Sequence, residues 1–326
     1  DLDGSGTVEP GENRVPVTDA AFADNQRHAT VAMDKDGDFI VTWTNVRNGD
    51  SDIYARRFRS DGVAMGEAFR VNTASGVDSE PGVQKWAQVA ADHDGDFVIT
   101  WTSETPSQGL NVFAKLFSAR IERDPTTGDI LPPTEVGSQI VASQTTIGNQ
   151  MLSSVAMKAA GDFVVTWTDE SQVNQDIRAR SFDREGLPIT NEFTVNANLT
   201  GDQNYSNVAM DLDGGRYVVT WTSTGQDGSG YGVYARLLSG GAPLTGDILV
   251  NQTVAGNQMF SAAAMNHRGE VAVTWSGYGN QPGEEDESPY GVFFRRFDAT
   301  GQPVGGELLA NREPLGNQWL SSIGSS

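Results

Sequence analysis

Cysteine is absent from the 326 residues, which removes disulfide staples, Cys-type zinc sites and a cysteine nucleophile. Basic residues are scarce: 22 Lys and Arg stand against 43 Asp and Glu, a formal charge of -21. That balance repels nucleic acid and anionic membrane surfaces and favours cations or sugars as partners. No apolar run approaches the roughly 18 residues of a membrane-spanning helix, and no long helical apolar stripe appears. The three histidines, His28, His93 and His267, are far apart without metal-type spacing, and there is no G-x-S-x-G serine. The chain opens on Asp1, with no charged-then-apolar leader, and reads as a mature or trimmed piece of something longer.

What is present is repetition. D-F-I-V-T-W-T at 38–44 recurs as D-F-V-I-T-W-T from 96, D-F-V-V-T-W-T from 162, Y-V-V-T-W-T from 217 and V-A-V-T-W-S from 271. The repeated tryptophans are Trp43, Trp101, Trp167, Trp221 and Trp275, spaced by 58, 66, 54 and 54 residues. A period of that size signals a stacked or circular repeat fold. Within it Phe39, Val41 and Trp43 alternate with Asp38, Ile40, Thr42 and Thr44, which is the period of a strand.

Three more short segments accompany each T-W strand. One precedes it, as S-S-V-A-M at 153–157. One follows, as I-Y-A-R-R-F at 53–58 or V-Y-A-R-L-L at 233–238, and a short F-R-V-N or F-T-V-N closes the unit at 69–72 or 193–196. Turn pairs such as Asp61-Gly62, Glu185-Gly186 and Thr300-Gly301 separate the last two. Four antiparallel strands in about 55 residues is the content of a propeller blade. The expected fold is therefore an all-β propeller of four-stranded blades with about five repeats, near 26–83, 84–149, 150–202, 203–257 and 258–317. The ends are out of phase: Val15 to Val17 reads as a fourth strand and Gln318 to Ser326 as a first strand. They could close one ring, or join copies of the chain or a larger parent assembly through open strand edges.

Residues 1–13 form a separate unit. D-L-D-G-S-G-T-V-E-P-G-E places oxygen ligands at Asp1, Asp3, Ser5, the Thr7 carbonyl, Glu9 and Glu12, with Gly6 at the sharp turn. It resembles an EF-hand or dockerin calcium loop at each of these positions, though Pro16 leaves no room for a normal exit helix. Asp34-Lys35-Asp36-Gly37-Asp38 and Asp92-His93-Asp94-Gly95-Asp96 could also hold a hard cation, but only the glycine recurs in all five copies, so a hairpin turn is the simpler expectation. The recurring cations Arg56, Lys115, Arg180, Arg236 and Arg295 could face an anionic ligand or pair with nearby acids. The tryptophans share a face with Phe and Val, so burial between blades is expected over a sugar-stacking platform.

The whole repeat resembles the tandem V-A-M-D-x-D-G-D-F-V-V-T-W modules of large secreted bacterial surface proteins, similar in style to FG-GAP-like propellers. Y-G-V-Y-A-R at 231–236 and G-Q-P-V-G-G-E at 301–307 extend the likeness across 14–326, while the D-x-D-x-D-G-x-x-D cation loop of FG-GAP blades is not reproduced. The resemblance implies a calcium-associated extracellular or cell-surface module. It brings no catalytic set, so the expected function is non-enzymatic, structural or adhesive, and calcium-stabilised. The alternative is a carbohydrate-binding or glycan-hydrolysing propeller working through a face or central cavity.

Overall fold

The structure, a computed structural model, describes residues 17–18, 25–72, 82–105, 108–213, 215–278, 290–311, 318 and 320–324. The calcium-loop residues Asp1, Asp3, Ser5, Thr7, Glu9 and Glu12 lie outside the described residues, as do Val15 and Pro16. Among the described residues every regular element is a strand, and no helix is long and apolar enough to cross a membrane.

The strands form five antiparallel sheets, each starting from its first strand in chain order. Blade 1 contains β1 (Asn25–Met33), β2 (Phe39–Arg47), β3 (Asp50–Phe58) and β4 (Phe69–Arg70). Blade 2 contains β5 (Gln84–Ala91), β6 (Phe97–Thr105), β7 (Gly109–Phe117) and β8 (Glu135–Val141). Blade 3 contains β9 (Gln150–Met157), β10 (Phe163–Asp169), β11 (Asp176–Phe182) and β12 (Phe193–Thr194). In blade 4, β13 (Gln203–Met210), β14 (Arg216–Thr224) and β15 (Tyr231–Ser239) are followed by the short β16 (Ala242–Pro243) and β17 (Ile248–Leu249), both on β15. Blade 5 contains β18 (Gln258–Met265), β19 (Val271–Tyr278), β20 (Tyr290–Phe297) and β21 (Pro303–Leu309). Successive first strands β1, β5, β9, β13 and β18 contact one another, so they form the inner ring of a β-propeller.

Its core lies between blades. Ile40, Ile53, Ala55 and Val71 of blade 1 pack with Ala87, Val89, Phe97 and Trp101 of blade 2, and equivalent clusters join blades 2 and 3, 3 and 4, and 4 and 5. All five repeated tryptophans are at most 1% exposed. Trp101, Trp167, Trp221 and Trp275 pack among residues of the preceding blade, and in blades 1, 2, 4 and 5 the indole stacks on the cross-strand aromatic Tyr54, Phe113, Tyr234 or Phe293. Because blades cover both sides of the sheet, the second strands are buried on both faces, Thr42 and Thr44 included.

The repeated cations hold the blades together by a route not apparent from the sequence. Lys115 Nζ donates to the Val71 carbonyl (3.0 Å), Arg236 Nη1 to Val195 (2.6 Å), Arg295 Nη1 to Val250 (2.9 Å) and Arg180 Nη1 to Ala142 (3.3 Å). Each thus satisfies a fourth-strand carbonyl of the blade before it. Carboxylates add a second clasp: Glu192 accepts from Gln144 N and Thr145 N, Asp247 from Ala197 N and Asn198 N, Glu307 from Gln252 N and Thr253 N. The expected pairing of these cations with nearby acids holds in part, with Lys115 Nζ 3.0 Å from Glu135 Oε1 and Arg236 Nε 3.8 Å from Asp247 Oδ1. Their main partners are buried peptide oxygens, which must be paired when water is excluded.

The acidic turns are turns. Asp34 Oδ1 accepts from Asp36 N and Asp38 N, and Asp92 Oδ1 from Asp94 N and Asp96 N, with Gly37 and Gly95 at φ +86° and +84°. Asn266 does the same without a charge, bonding Arg268 N and Glu270 N. Among the described residues no group of three or more His, Asp or Glu is placed to hold a metal ion.

Candidate functional site

Five first strands carry the same irregularity. The pairing of β1 with β2 shifts between Arg27 and Thr30, so His28 and Ala29 stand opposite Trp43. The same bulge places Trp86-Ala87 opposite Trp101, Leu152-Ser153 opposite Trp167, Tyr205-Ser206 opposite Trp221 and Phe260-Ser261 opposite Trp275. At the head of each bulge the backbone is left-handed: φ is +53° at His28, +59° at Trp86, +57° at Leu152, +55° at Tyr205 and +56° at Phe260. Leu320, in the C-terminal segment, has φ +55° as well. Non-glycine residues rarely adopt this region, at roughly 1 to 3 kcal/mol each, and such strain clusters at functional sites.

These six residues converge on one cavity of about 440 Å³, lined in addition by Thr30, Gln88, Ser153, Ser154, Ser206, Asn207, Ser261, Ser321 and Ser322. Because all five blades contribute, the cavity lies on the propeller axis. A bulge re-aims a side chain without moving the rest of the strand, and here it turns one residue per blade inward. The frame around it is constant. A glutamine stands two positions before each inward residue, at Gln26, Gln84, Gln150, Gln203, Gln258 and Gln318. Gln150 Nε2 reaches Asp169 Oδ1 (3.2 Å) and the Ile147 carbonyl (3.0 Å), and Gln258 Oε1 accepts from Trp275 Nε1 (3.3 Å), so the glutamine pins the strand entry. Hydroxyl pairs Ser153–Thr100, Ser206–Thr166 and Ser261–Thr220, at 2.9 to 3.1 Å, fix the bulges of blades 3, 4 and 5 to the blade before.

The inward residues differ in every complete blade: His, Trp, Leu, Tyr and Phe. Tyr205 and Phe260 meet edge to face at 4.9 Å, and Lys85 Nζ lies 4.1 Å over the Trp86 ring. His28 is the one titratable imidazole on the lining. Partial burial, then the positive charges of Arg27 and Lys85, hold its pKa below the ordinary histidine value, so it is neutral at pH 7. The described lining carries no carboxylate.

Of these positions only His28 stands out in the sequence, as one of three scattered histidines without metal-type spacing. The signal in the sequence is a Gln two positions before each inward residue, followed by related segments such as A-T-V-A-M at 29–33, S-S-V-A-M at 153–157 and S-N-V-A-M at 206–210, so that the inward residue varies while its surroundings repeat. The five repeated tryptophans are buried, as their strand pattern implies, and lie away from this lining.

The sequence matches no protein-family model and no curated protein. Solved structures share the fold. The α-L-arabinanase of Penicillium chrysogenum, complexed with arabinobiose, aligns at a TM-score of 0.55 and 11% identity over 94% of this chain and 87% of its own. The GH93 α-L-arabinofuranosidase of Fusarium graminearum, with arabinobiose, aligns at 0.54 and 12% over 91% and 83%. A protein of unknown function from Dyadobacter fermentans aligns at 0.52 and 11% over 90% and 85%. These likenesses establish the propeller. They also correct the expectation of a non-enzymatic adhesive module, since two of these three propellers, the arabinanase and the arabinofuranosidase, are glycoside hydrolases.

Proposed function

We propose that the protein is a carbohydrate-active propeller that takes a glycan into its axial cavity. The observation that carries this reading is the strained ring of inward side chains, three of them aromatic, set among hydroxyl and amide groups. A sugar offers an apolar C–H face and a hydroxyl edge; Trp86, Tyr205 and Phe260 supply stacking surface, while Ser154, Asn207 and Gln88 supply donors and acceptors. A volume near 440 Å³ lies in the range of small-ligand sites, about 300 to 1,000 Å³. The lining is uncharged at neutral pH, which suits a neutral glycan.

Hydrolysis needs two carboxyl groups flanking the scissile bond. The candidates for such a pair are Glu104 and Glu170, at the ends of the second strands of blades 2 and 3. Glu104 and Glu170 occupy equivalent places on adjacent blades, each donating its N–H to the residue just before the first-strand glutamine, Val83 and Asn149. A glycan array followed by calorimetry with arabino-oligosaccharides and other neutral glycans tests the binding. Trp86→Ala and Phe260→Ala should weaken it at least tenfold, and loss of sugar release in Glu104→Gln or Glu170→Gln should accompany retained binding. Ring variants that bind every glycan like the parent protein would refute the site.

We further infer that the protein works outside the cell with calcium in the 1–12 loop. Asp1, Asp3, Ser5, Thr7, Glu9 and Glu12 give the oxygen set that a seven-coordinate calcium takes, and the surplus of acidic side chains draws cations to the molecule. Calcium titration should release heat that Asp3→Ala plus Glu12→Ala abolishes; an unchanged isotherm in that variant rejects the site.

A further inference from the structure

We propose that the gap between blades 5 and 1 is the seat of a sixth blade, completed by a β-hairpin of the repeat's own second- and third-strand type joined in the same polypeptide to the 318–324 segment. Two of the four strand positions of that blade are held already. Arg56 Nη1 donates to the Val17 carbonyl at 3.3 Å, the bond that its counterparts make to the fourth strand of the preceding blade, so Val17 stands in the fourth-strand place. Leu320 N donates to Ser276 Oγ as Phe260 N does to Thr222 Oγ1, and Gln318 N to the Tyr290 carbonyl as Gln203 N does to Gln175. With Leu320 in the strained ring, residues 318–324 stand in the first-strand place. Both ends of the chain therefore meet at one position of a single ring.

Among the described residues, nothing covers the walls of this gap where the second and third strands would lie. On blade 1, Val31 and Met33 are 61% and 62% exposed, whereas their equivalents Val155 and Met157 are at most 8% exposed. Trp43, Val41 and Phe58 already form a buried cluster on that wall, joined from the sixth position by Val17. On blade 5, Ala310 makes the fourth-strand bond to Val292 that Val71, Ala142, Val195 and Val250 make in their blades, yet it is exposed where those four are fully buried. Leu308 is likewise open, although its counterpart Ile248 in blade 4 lies under Gly301 of the next blade's turn. A cavity of about 260 Å³ on this wall, lined by Ala264, Val271, Phe297 and Val304, receives Gly324 alone from the sixth position among the described residues. The four finished interfaces define what fits: a T-W strand whose indole enters blade 5, and a third strand whose arginine reaches the Ala310 carbonyl.

Residues 159–186 of blade 3, appended after Ser326, continue the repeat phase of Lys158 and provide such a hairpin. The fusion should remain monomeric, raise Tm by about 5 °C or more, bury its added indole with a blue-shifted emission, and slow amide exchange at Val31 and Met33. Met33→Ala should leave Tm nearly unchanged in the present chain and lower it in the fusion. An unchanged Tm with the added segment cleaved as fast as free peptide, or a fusion that loses the fold, overturns the proposal. Equal stabilisation by the free 159–186 peptide would instead assign the seat to a separate protein and overturn the same-polypeptide source.

Discussion

Trp167 shows how one residue serves two blades. Its indole is fully buried among Val98, Val112 and Leu116 of the preceding blade, so Trp167→Ala should cost about 3 to 5 kcal/mol in chemical denaturation. Arg236 acts at longer reach, pairing the Val195 carbonyl and lying 3.8 Å from Asp247. Arg236→Met keeps much of the stem but leaves a buried carbonyl unpaired, an expected loss of about 1 to 3 kcal/mol. His28 gives the molecule a pH signature. Its folded pKa lies below its unfolded value, so its share of stability is complete above the unfolded value and is lost as pH falls through it toward the folded one. His28→Gln should remove that part of the Tm decline between pH 7 and 5; an unaltered acid slope would show that the imidazole does not titrate in this way.

At the scale of the element, the bulged first strand carries the interest. Its left-handed residue is not a glycine in any blade, so each blade holds a strained backbone to present a side chain to the axis. Leu152→Gly should leave stability unchanged or raised by up to about 1 kcal/mol, since glycine adopts φ +57° without a Cβ penalty. Leu152→Val should lose more than about 1 kcal/mol, because a β-branched side chain tolerates this region poorly. If both variants unfold at the same denaturant midpoint, the strain is not stored where the dihedrals place it. The fourth strands show a different economy. Asn72, Asn196, Asn251 and Asn311 accept from third-strand backbone N–H groups, those of Ile53, Ile177, Val233 and Val292, at 2.8 to 2.9 Å, with Ser143 taking this part for Val112 in blade 2. This explains the repeated V-N as a strand terminator in which a side chain replaces a ladder carbonyl.

For the whole molecule, the order of blades follows the order of repeats, and the ring is stabilised by interfaces between neighbours. Removing residues 318–326 should strip Leu320 from the axis and uncover Ser276, lowering Tm while blades 1 to 4 keep their mutual contacts. Circular dichroism retaining the strand signal with a lower midpoint checks this. Complete unfolding would instead make the segment essential to ring closure.

The sequence by itself determined the strand content, the number of complete blades, the glycine turns and the burial of five tryptophans, because each rests on a pattern of period two or on a repeat near 55 residues that a single strand or hairpin already expresses. The function of Arg236 and its counterparts was hidden, since their partners are backbone carbonyls some 40 residues away, and a carbonyl leaves no mark in a sequence. The axial ring was hidden for a related reason: His28, Trp86, Leu152, Tyr205 and Phe260 share no side-chain chemistry, only a backbone dihedral, and that dihedral arises from a register shift opposite a tryptophan. Only closing the blades around an axis brings residues from every repeat into one cavity, so local pattern decided the blades and tertiary structure alone decided the site.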